Sequence, residues 1–132
     1  MTILIIDDEG PLRETLRDML ETLGYNVREA ENGDAGMATL QLTDIALIIT
    51  DILMPKKDGI ETIHEIRSLY PSLPIVAISG GGVNRDMSFL AYASKLGANR
   101  VLQKPIGFQD LANTVEALVP LHDARIPNLF RS

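Results

Sequence analysis

Short β-branched apolar runs alternate along the chain with longer stretches in which apolar residues recur every three or four positions. Residues 3–6, 45–50, 74–79 and, more briefly, 100–103 are rich in Ile, Val and Leu, a pattern that predicts buried strands. Residues 26–29 mix Val27 with polar neighbours and predict a strand nearer an edge. Leu4-Ile5-Ile6 and Ala46-Leu47-Ile48-Ile49 are apolar on both faces, as central parallel strands covered by helices should be. Leu12, Leu16, Met19, Leu20 and Leu23 keep to helical spacing, with Pro11 in the first turn and Gly24 after the last. Ile60, Ile63 and Ile66 mark another helix, closed by Tyr70-Pro71. Phe108, Leu111, Ala112, Val115, Leu118 and Val119 form an apolar stripe before Pro120, and residues 34–42 and 84–96 complete the helices. The order is strand then helix, five times over. It predicts an α/β fold: a doubly wound, five-stranded parallel sheet with right-handed crossovers.

Length and composition narrow the reading without naming a chemistry. A chain of 132 residues fits one domain, and 45% hydrophobic content is enough for a core, here without Trp. The expected division is a domain over residues 1–120 and a tail over 121–132 that is loosely held or docked. The absence of Cys excludes disulfides and thiolate metal sites. A formal charge of −6 argues against a nucleic-acid surface. The apolar start is too short for a membrane span and lacks a basic lead, so a cytoplasmic location with no membrane partner is expected.

Candidate chemistry collects where the strands end. Ligands of doubly wound sheets sit beyond the carboxyl ends of the strands. The first strand ends in Asp7-Asp8, the third in Asp51, the fourth in Ser79 and the fifth in Lys104-Pro105. Each residue alone has an ordinary explanation: an Asp after a strand caps a turn or helix, a Ser before Gly80-Gly81-Gly82 punctuates a loop, a Lys sits in solvent. Capping does not explain why four strands each bring a reactive side chain to one edge. Three carboxylates in one pocket repel and call for positive charge. Lys104 supplies part of it, and a hard divalent cation such as Mg²⁺ suits carboxylate and water oxygens. Phosphoryl transfer needs an in-line nucleophile with positive charge around the moving group. Asp51 suits the first task; Mg²⁺, Lys104 and the Ser79 hydroxyl suit the second.

At these residues the chain resembles the receiver domain of two-component response regulators, in a single-domain, chemotaxis-regulator-like form, from Met1 to about Pro120. The matching elements are Ile5-Ile6-Asp7-Asp8-Glu9, Thr50-Asp51-Ile52-Leu53-Met54-Pro55 with Asp58-Gly59, Val76-Ala77-Ile78-Ser79-Gly80, and Gln103-Lys104-Pro105. The resemblance implies a flavodoxin-like strand order 2-1-3-4-5. It implies that Asp51 accepts a phosphoryl group from a histidine kinase or a histidine phosphotransfer protein. Asp8, Asp51 and the Leu53 carbonyl would ligate Mg²⁺, with Asp7 acting mostly through water. Ser79 and Lys104 would each bond a phosphoryl oxygen, and Lys104-Pro105 would be a cis peptide. The domain would be a phosphoacceptor rather than a turnover enzyme. It would act through an unidentified downstream protein, by dimerising, or by passing phosphate onward, with its output surface on the 84–96 helix, the last strand and the last helix.

The sequence departs from the family pattern at three positions. Val101 stands where the family commonly has a switching Tyr or Phe, which suggests that switching runs through the glycine-rich loop after Ser79 and the 84–96 helix. Leu53 and Gly81 occupy positions that tune dephosphorylation and offer no side-chain hydrogen bond to water, so a long-lived phosphoryl group is expected. Two alternatives stay open: a phosphorylation-independent docking module, and an aspartyl-phosphate phosphohydrolase, which would usually carry an Asp at position 53. His64 reads as a surface residue, Lys56-Lys57 as solvated, Tyr92 as packing and Gly33 to Gly36 as a helix start.

Overall fold

The computed structural model describes residues 1–52, 59–80 and 94–121. Five parallel strands form one sheet: β1 (Thr2–Ile6), β2 (Asn26–Ala30), β3 (Leu47–Asp51), β4 (Ile75–Ser79) and β5 (Arg100–Gln103). Their spatial order is β2-β1-β3-β4-β5, so the sheet is doubly wound and β2 is an edge strand, as its mixed polarity predicted. Helices α1 (Gly10–Thr22), α2 (Gly33–Leu42), α3 (Gly59–Leu69) and α4 (Phe108–Leu118) are the crossover and closing elements. Residues 94–96 are helical, the end of the 84–96 helix expected from sequence; the rest of that helix, including Tyr92, lies outside the described residues.

Strand alternation divides the core in two. Leu4, Ile6, Ile48 and Ala77 pack with Met37, Leu40, Ile63 and Ile66 of α2 and α3. Ile3, Ile5, Ile49 and Val76 pack on the other side with Leu16, Leu20, Leu111 and Val115 of α1 and α4. Because period-2 side chains point to opposite faces, continuous apolar runs in β1 and β3 feed both layers at once. Each fully buried Leu or Ile contributes about 1.5–3 kcal/mol, which anchors the strands whose ends carry the polar residues.

Boundaries shift by one or two residues from the sequence pattern. β3 starts at Leu47, not Ile45, because its ladder with β1 begins at the Ile3–Leu47 pair. α2 starts one residue earlier than predicted, capped by Asn32, whose side chain accepts the Ala35 N–H at 2.8 Å. Phe108 opens α4 but is 43% exposed, so the apolar stripe of that helix reaches the core only from Leu111 onward. Tyr25 closes the fold: its buried hydroxyl donates to the Val119 carbonyl at 2.8 Å and ties the end of α4 to the start of β2. No helix among the described residues is long and apolar enough to cross a membrane.

Candidate functional site

Strand register brings the sequence-distant polar residues to one edge. Ile6 pairs with Thr50, so Asp7 and Asp51 leave adjacent strands side by side. Ser79 pairs with Gln103, and the following Lys104 N–H donates to the Ser79 carbonyl at 2.8 Å. Asp7, Asp51 and Ser79 are buried and Asp8 is exposed, so the group opens toward solvent on the Asp8 side. One carboxylate oxygen from each of Asp7, Asp8 and Asp51 lies within 4.8 Å of the others. The Lys104 Nζ donates to Asp51 Oδ2 at 3.1 Å and to Glu9 Oε1 at 3.2 Å. Lys104-Pro105 is joined by a cis peptide, as the resemblance implied.

Asp7 is held on three sides. Its N–H donates to the Ala30 carbonyl at 3.0 Å, its carbonyl accepts from Arg13 Nη1 at 2.6 Å, and its Oδ1 accepts the Glu9 N–H at 2.8 Å. The last bond places Asp7 just ahead of α1 without making it the cap, since Glu9 is the N-cap residue and makes no side-chain cap bond. Asp7 Oδ2 is buried and has no hydrogen-bond partner among the described residues. Burial, with the neighbouring Asp51 and Glu9 charges, raises the Asp7 carboxyl to about 6 against the pull of the Glu9 N–H and Lys104. Burial opposes the charge on Lys104, but its bonds to Asp51 and Glu9 prevail and hold its pKa above the ordinary lysine value. A buried carboxylate oxygen without a donor costs about 1–3 kcal/mol or more. That orphaned oxygen, in a cluster of three carboxylates, fits a hard divalent cation such as Mg²⁺.

Residues 3–116 match the family described as the response regulator receiver domain. The chain belongs to that family. This receiver is 33% identical over 120 residues to the response regulator receiver protein CpdR of Brucella abortus, covering 89% of this chain and 95% of CpdR. It is 31% identical over 117 residues, 89% of its length, to the transcriptional regulatory protein CpxR of Klebsiella pneumoniae, and spans about half of CpxR, 48%. The structure of TrrA from Thermotoga maritima, in complex with Mg²⁺-BeF, superposes with a TM-score of 0.78 at 30% identity, covering 89% of this chain and 98% of TrrA. The receiver domain of NtrX from Brucella abortus gives 0.80 at 28% identity, covering 91% and 99%. Receiver domains are signalling domains of two-component systems, and the flavodoxin-like order implied by resemblance is the order observed.

Of the site residues predicted from sequence, Asp7, Asp8, Asp51 and Lys104 meet in one cluster, and Ser79 ends the strand between Asp51 and Lys104. Leu53, Lys56, Lys57 and Gly81 lie outside the described residues. Val101 is buried beside Ala77, in the core layer under α2 and α3. His64 is exposed on α3, as expected. Three contributors were not assigned from sequence. Glu9 shares Lys104 with Asp51, and its place next to the acidic pair was the only signal. Arg13 reaches back to the Asp7 carbonyl, a contact that sequence spacing cannot show. At Gly59 a Cβ would run into the Asp51 carbonyl oxygen and come within 2.6 Å of Ile52 Cα, so only glycine lets α3 start this close to the end of β3.

Proposed function

We propose that Asp51 takes a phosphoryl group from the phosphohistidine of a histidine kinase or a histidine phosphotransfer protein, in a Mg²⁺-dependent reaction. The acyl phosphate then shifts a two-state equilibrium that controls the binding of a downstream partner. The observation that carries this reading is the buried Asp51 carboxylate, gripped by the Lys104 ammonium at 3.1 Å and clustered with Asp7 and Asp8. A carboxylate oxygen of Asp51 forms the new bond to phosphorus as the P–N bond breaks, and the leaving imidazole nitrogen keeps the electron pair. Lys104 steadies the nucleophile beforehand and offers its charge to a phosphoryl oxygen afterwards. The Ser79 hydroxyl, at the end of the neighbouring strand, is the group assigned to a second phosphoryl oxygen. Asp8, Asp51 and the Leu53 carbonyl would hold Mg²⁺, with Asp7 acting through water. When bound, the ion offsets the repulsion of the acids and the negative charge on the phosphoryl oxygens.

The same reading divides the chain into a receiver, residues 1–120, and a tail, residues 121–132. Its support is the Tyr25–Val119 bond, which closes the fold next to that boundary. Switching energies of about 1–3 kcal/mol are usual for such coupling, and they act through contacts that differ between two states. With Val101 in place of an aromatic, the route is assigned to the loop after Ser79 and the 84–96 helix. Partner binding, dimerisation or onward transfer of phosphate would then serve as output.

The test is intact mass after incubation with Mg²⁺ and acetyl phosphate, run beside Asp51→Asn. Gain of one phosphoryl group by the parent alone is the expected result. If a phosphorylated cognate donor also leaves the parent unmodified, the phosphoacceptor role fails and the docking-module alternative takes its place. Turnover of a small phosphate ester would instead favour the phosphohydrolase.

A further inference from the structure

Arg13 lies one turn into α1, yet its side chain turns back to the end of β1. Its Nη1 donates to the Asp7 carbonyl at 2.6 Å, and its Nε pairs with Glu29 Oε1 at 3.1 Å. Glu29 is braced from the same helix by Arg17, whose Nη1 lies 2.7 Å from Oε2, while Arg17 Nε also meets Glu21 at 3.3 Å. Two arginines one turn apart therefore hold one carboxylate on β2, but only Arg13 continues to the acid pair. Arg17 reaches the same carboxylate through Nη1. The reach of Arg13 to Asp7 does something more.

The peptide between Asp7 and Asp8 is planar, so its carbonyl and both flanking Cα atoms turn together. Fixing the Asp7 carbonyl fixes that plane, and with the Asp7 N–H on Ala30 and the Glu9 N–H on Asp7 Oδ1 it narrows the directions in which the Asp7 and Asp8 side chains leave the chain. That carbonyl sits where β1 gives way to α1 and a buried backbone acceptor needs a donor. A charged guanidinium held by Glu29 is a short, strong and directional one. The remaining Asp7 bonds, from Glu9 N–H to Oδ1 and from Asp7 N–H to Ala30, complete the frame and leave Oδ2 as the oxygen without a donor.

We propose that Arg13, oriented by Glu29, is a positioning residue that sets the aim of Asp7 and Asp8 and thereby the affinity of the acid cluster for Mg²⁺. The inference rests on the Mg²⁺ reading of the cluster given above. Groups that orient metal ligands commonly change metal affinity 10–100-fold when removed, and one acting through the backbone belongs at the lower end, about tenfold.

The experiment is calorimetric titration of the full chain with MgCl₂, comparing the parent with Arg13→Met, Arg13→Lys, Arg17→Met and Asp8→Asn. Arg13→Met should weaken Mg²⁺ binding about tenfold. Arg13→Lys keeps the charge but offers one nitrogen in place of the separate Nε and Nη1 donors, and should fall in between. Arg17→Met should leave the affinity within about twofold while lowering the melting temperature. In the Mg²⁺-free proteins, the Asp8 amide resonance should move in Arg13→Met and stay in place in Arg17→Met. Equal affinities for the two Met variants, whether both weakened or both unchanged, would reduce Arg13 to a structural brace and overturn the proposal. Should Arg13→Met fail to fold, the comparison of Arg13→Lys with Arg17→Met decides by the same rule. A parent that binds no Mg²⁺, or binds it no better than Asp8→Asn, sinks the metal reading itself and this inference with it. A parent that binds while both arginine variants match it sinks this inference alone.

Discussion

The sharpest expectation concerns Asp7 in the absence of a divalent ion. Its carboxyl is fully buried, one oxygen has no donor among the described residues, and its pKa is raised from 3.8 to about 6, mainly by burial. A folded-state acid pKa above the unfolded one means that the folded chain binds the proton more tightly. The group therefore costs nothing below about pH 4, where both states are protonated. The cost grows as pH rises through the window between the two values and is complete above about pH 6. A shift of roughly two units at 1.36 kcal/mol each gives about 3 kcal/mol of lost stability at neutral pH. Asp7→Asn removes the charge while leaving a side-chain oxygen for the Glu9 N–H. In EDTA at about pH 7.5 the variant should exceed the parent by about 1–3 kcal/mol, the range allowing for a weaker bond to the neutral amide. Urea unfolding followed by circular dichroism, repeated in steps down to about pH 4, should show the advantage shrinking toward zero. Mg²⁺ at a hundredfold excess over its dissociation constant should return about 2.7 kcal/mol to the parent and much less to the variant. A stability difference that does not change with pH, or an Asn variant weaker than the parent at neutral pH in EDTA, would refute the assignment of strain to Asp7.

Gly59→Ala should cost about 2 kcal/mol or more in urea unfolding, since its Cβ would collide with the backbone of Asp51 and Ile52. Tyr25→Phe removes the buried bond to Val119 and should cost about 1.5 kcal/mol, with faster amide exchange at the end of α4 as the local readout. Arg67 donates to the carbonyls of Gly97 at 3.1 Å, Pro71 at 2.9 Å and Leu73 at 2.7 Å, and to Asn99 Oδ1 at 3.2 Å. Arg67→Ala should therefore cost about 3 kcal/mol, measured by the same unfolding assay. Mg²⁺ binding below about pH 6 must displace the Asp7 proton, so affinity should fall as pH drops there, and calorimetry in buffers of different ionisation enthalpy should detect the released proton.

Much of this receiver was legible in the sequence because its strands are short and buried on both faces. Leu4-Ile5-Ile6 and Leu47-Ile48-Ile49 contain no residue that an exposed strand would want, and they occupy the sheet centre. The polar residues closing them were equally plain, since an Asp directly after such a run has to sit at the sheet edge. Contacts that depend on how elements lie against each other were not. Periodicity placed Phe108 on the apolar face of α4, but a helix can overhang its sheet, and this one does so in its first turn. Arg13 and Glu29 are 16 residues apart and meet only because α1 returns over β2. Glu9 looked like one more acid beside Asp7 and Asp8, yet it shares the Lys104 ammonium with Asp51.

These same contacts explain why the acid cluster need not unfold the domain that carries it. Among the described residues Asp51 and Glu9 share the Lys104 ammonium beside Asp7 and Asp8, and the neutral-pH cost assigned to Asp7 alone is about 3 kcal/mol, a large share of the 5–15 kcal/mol typical of a domain. That cost is what is left after the pull of the Glu9 N–H and Lys104. The compensation comes from apolar layers on both sides of the sheet and from the Tyr25 and Arg67 ties, which lie on other elements. A site that is to gain from binding a ligand needs this separation. If the acids were fully satisfied by the protein, neither a cation nor a phosphoryl group would find differential binding energy there, and a ligand with equal affinity for two states shifts neither. The orphaned Asp7 oxygen and the divided Lys104 are thus the features that leave the site something to gain. Asp7→Asn should therefore give a domain that is more stable without Mg²⁺ and gains less when the ion is added.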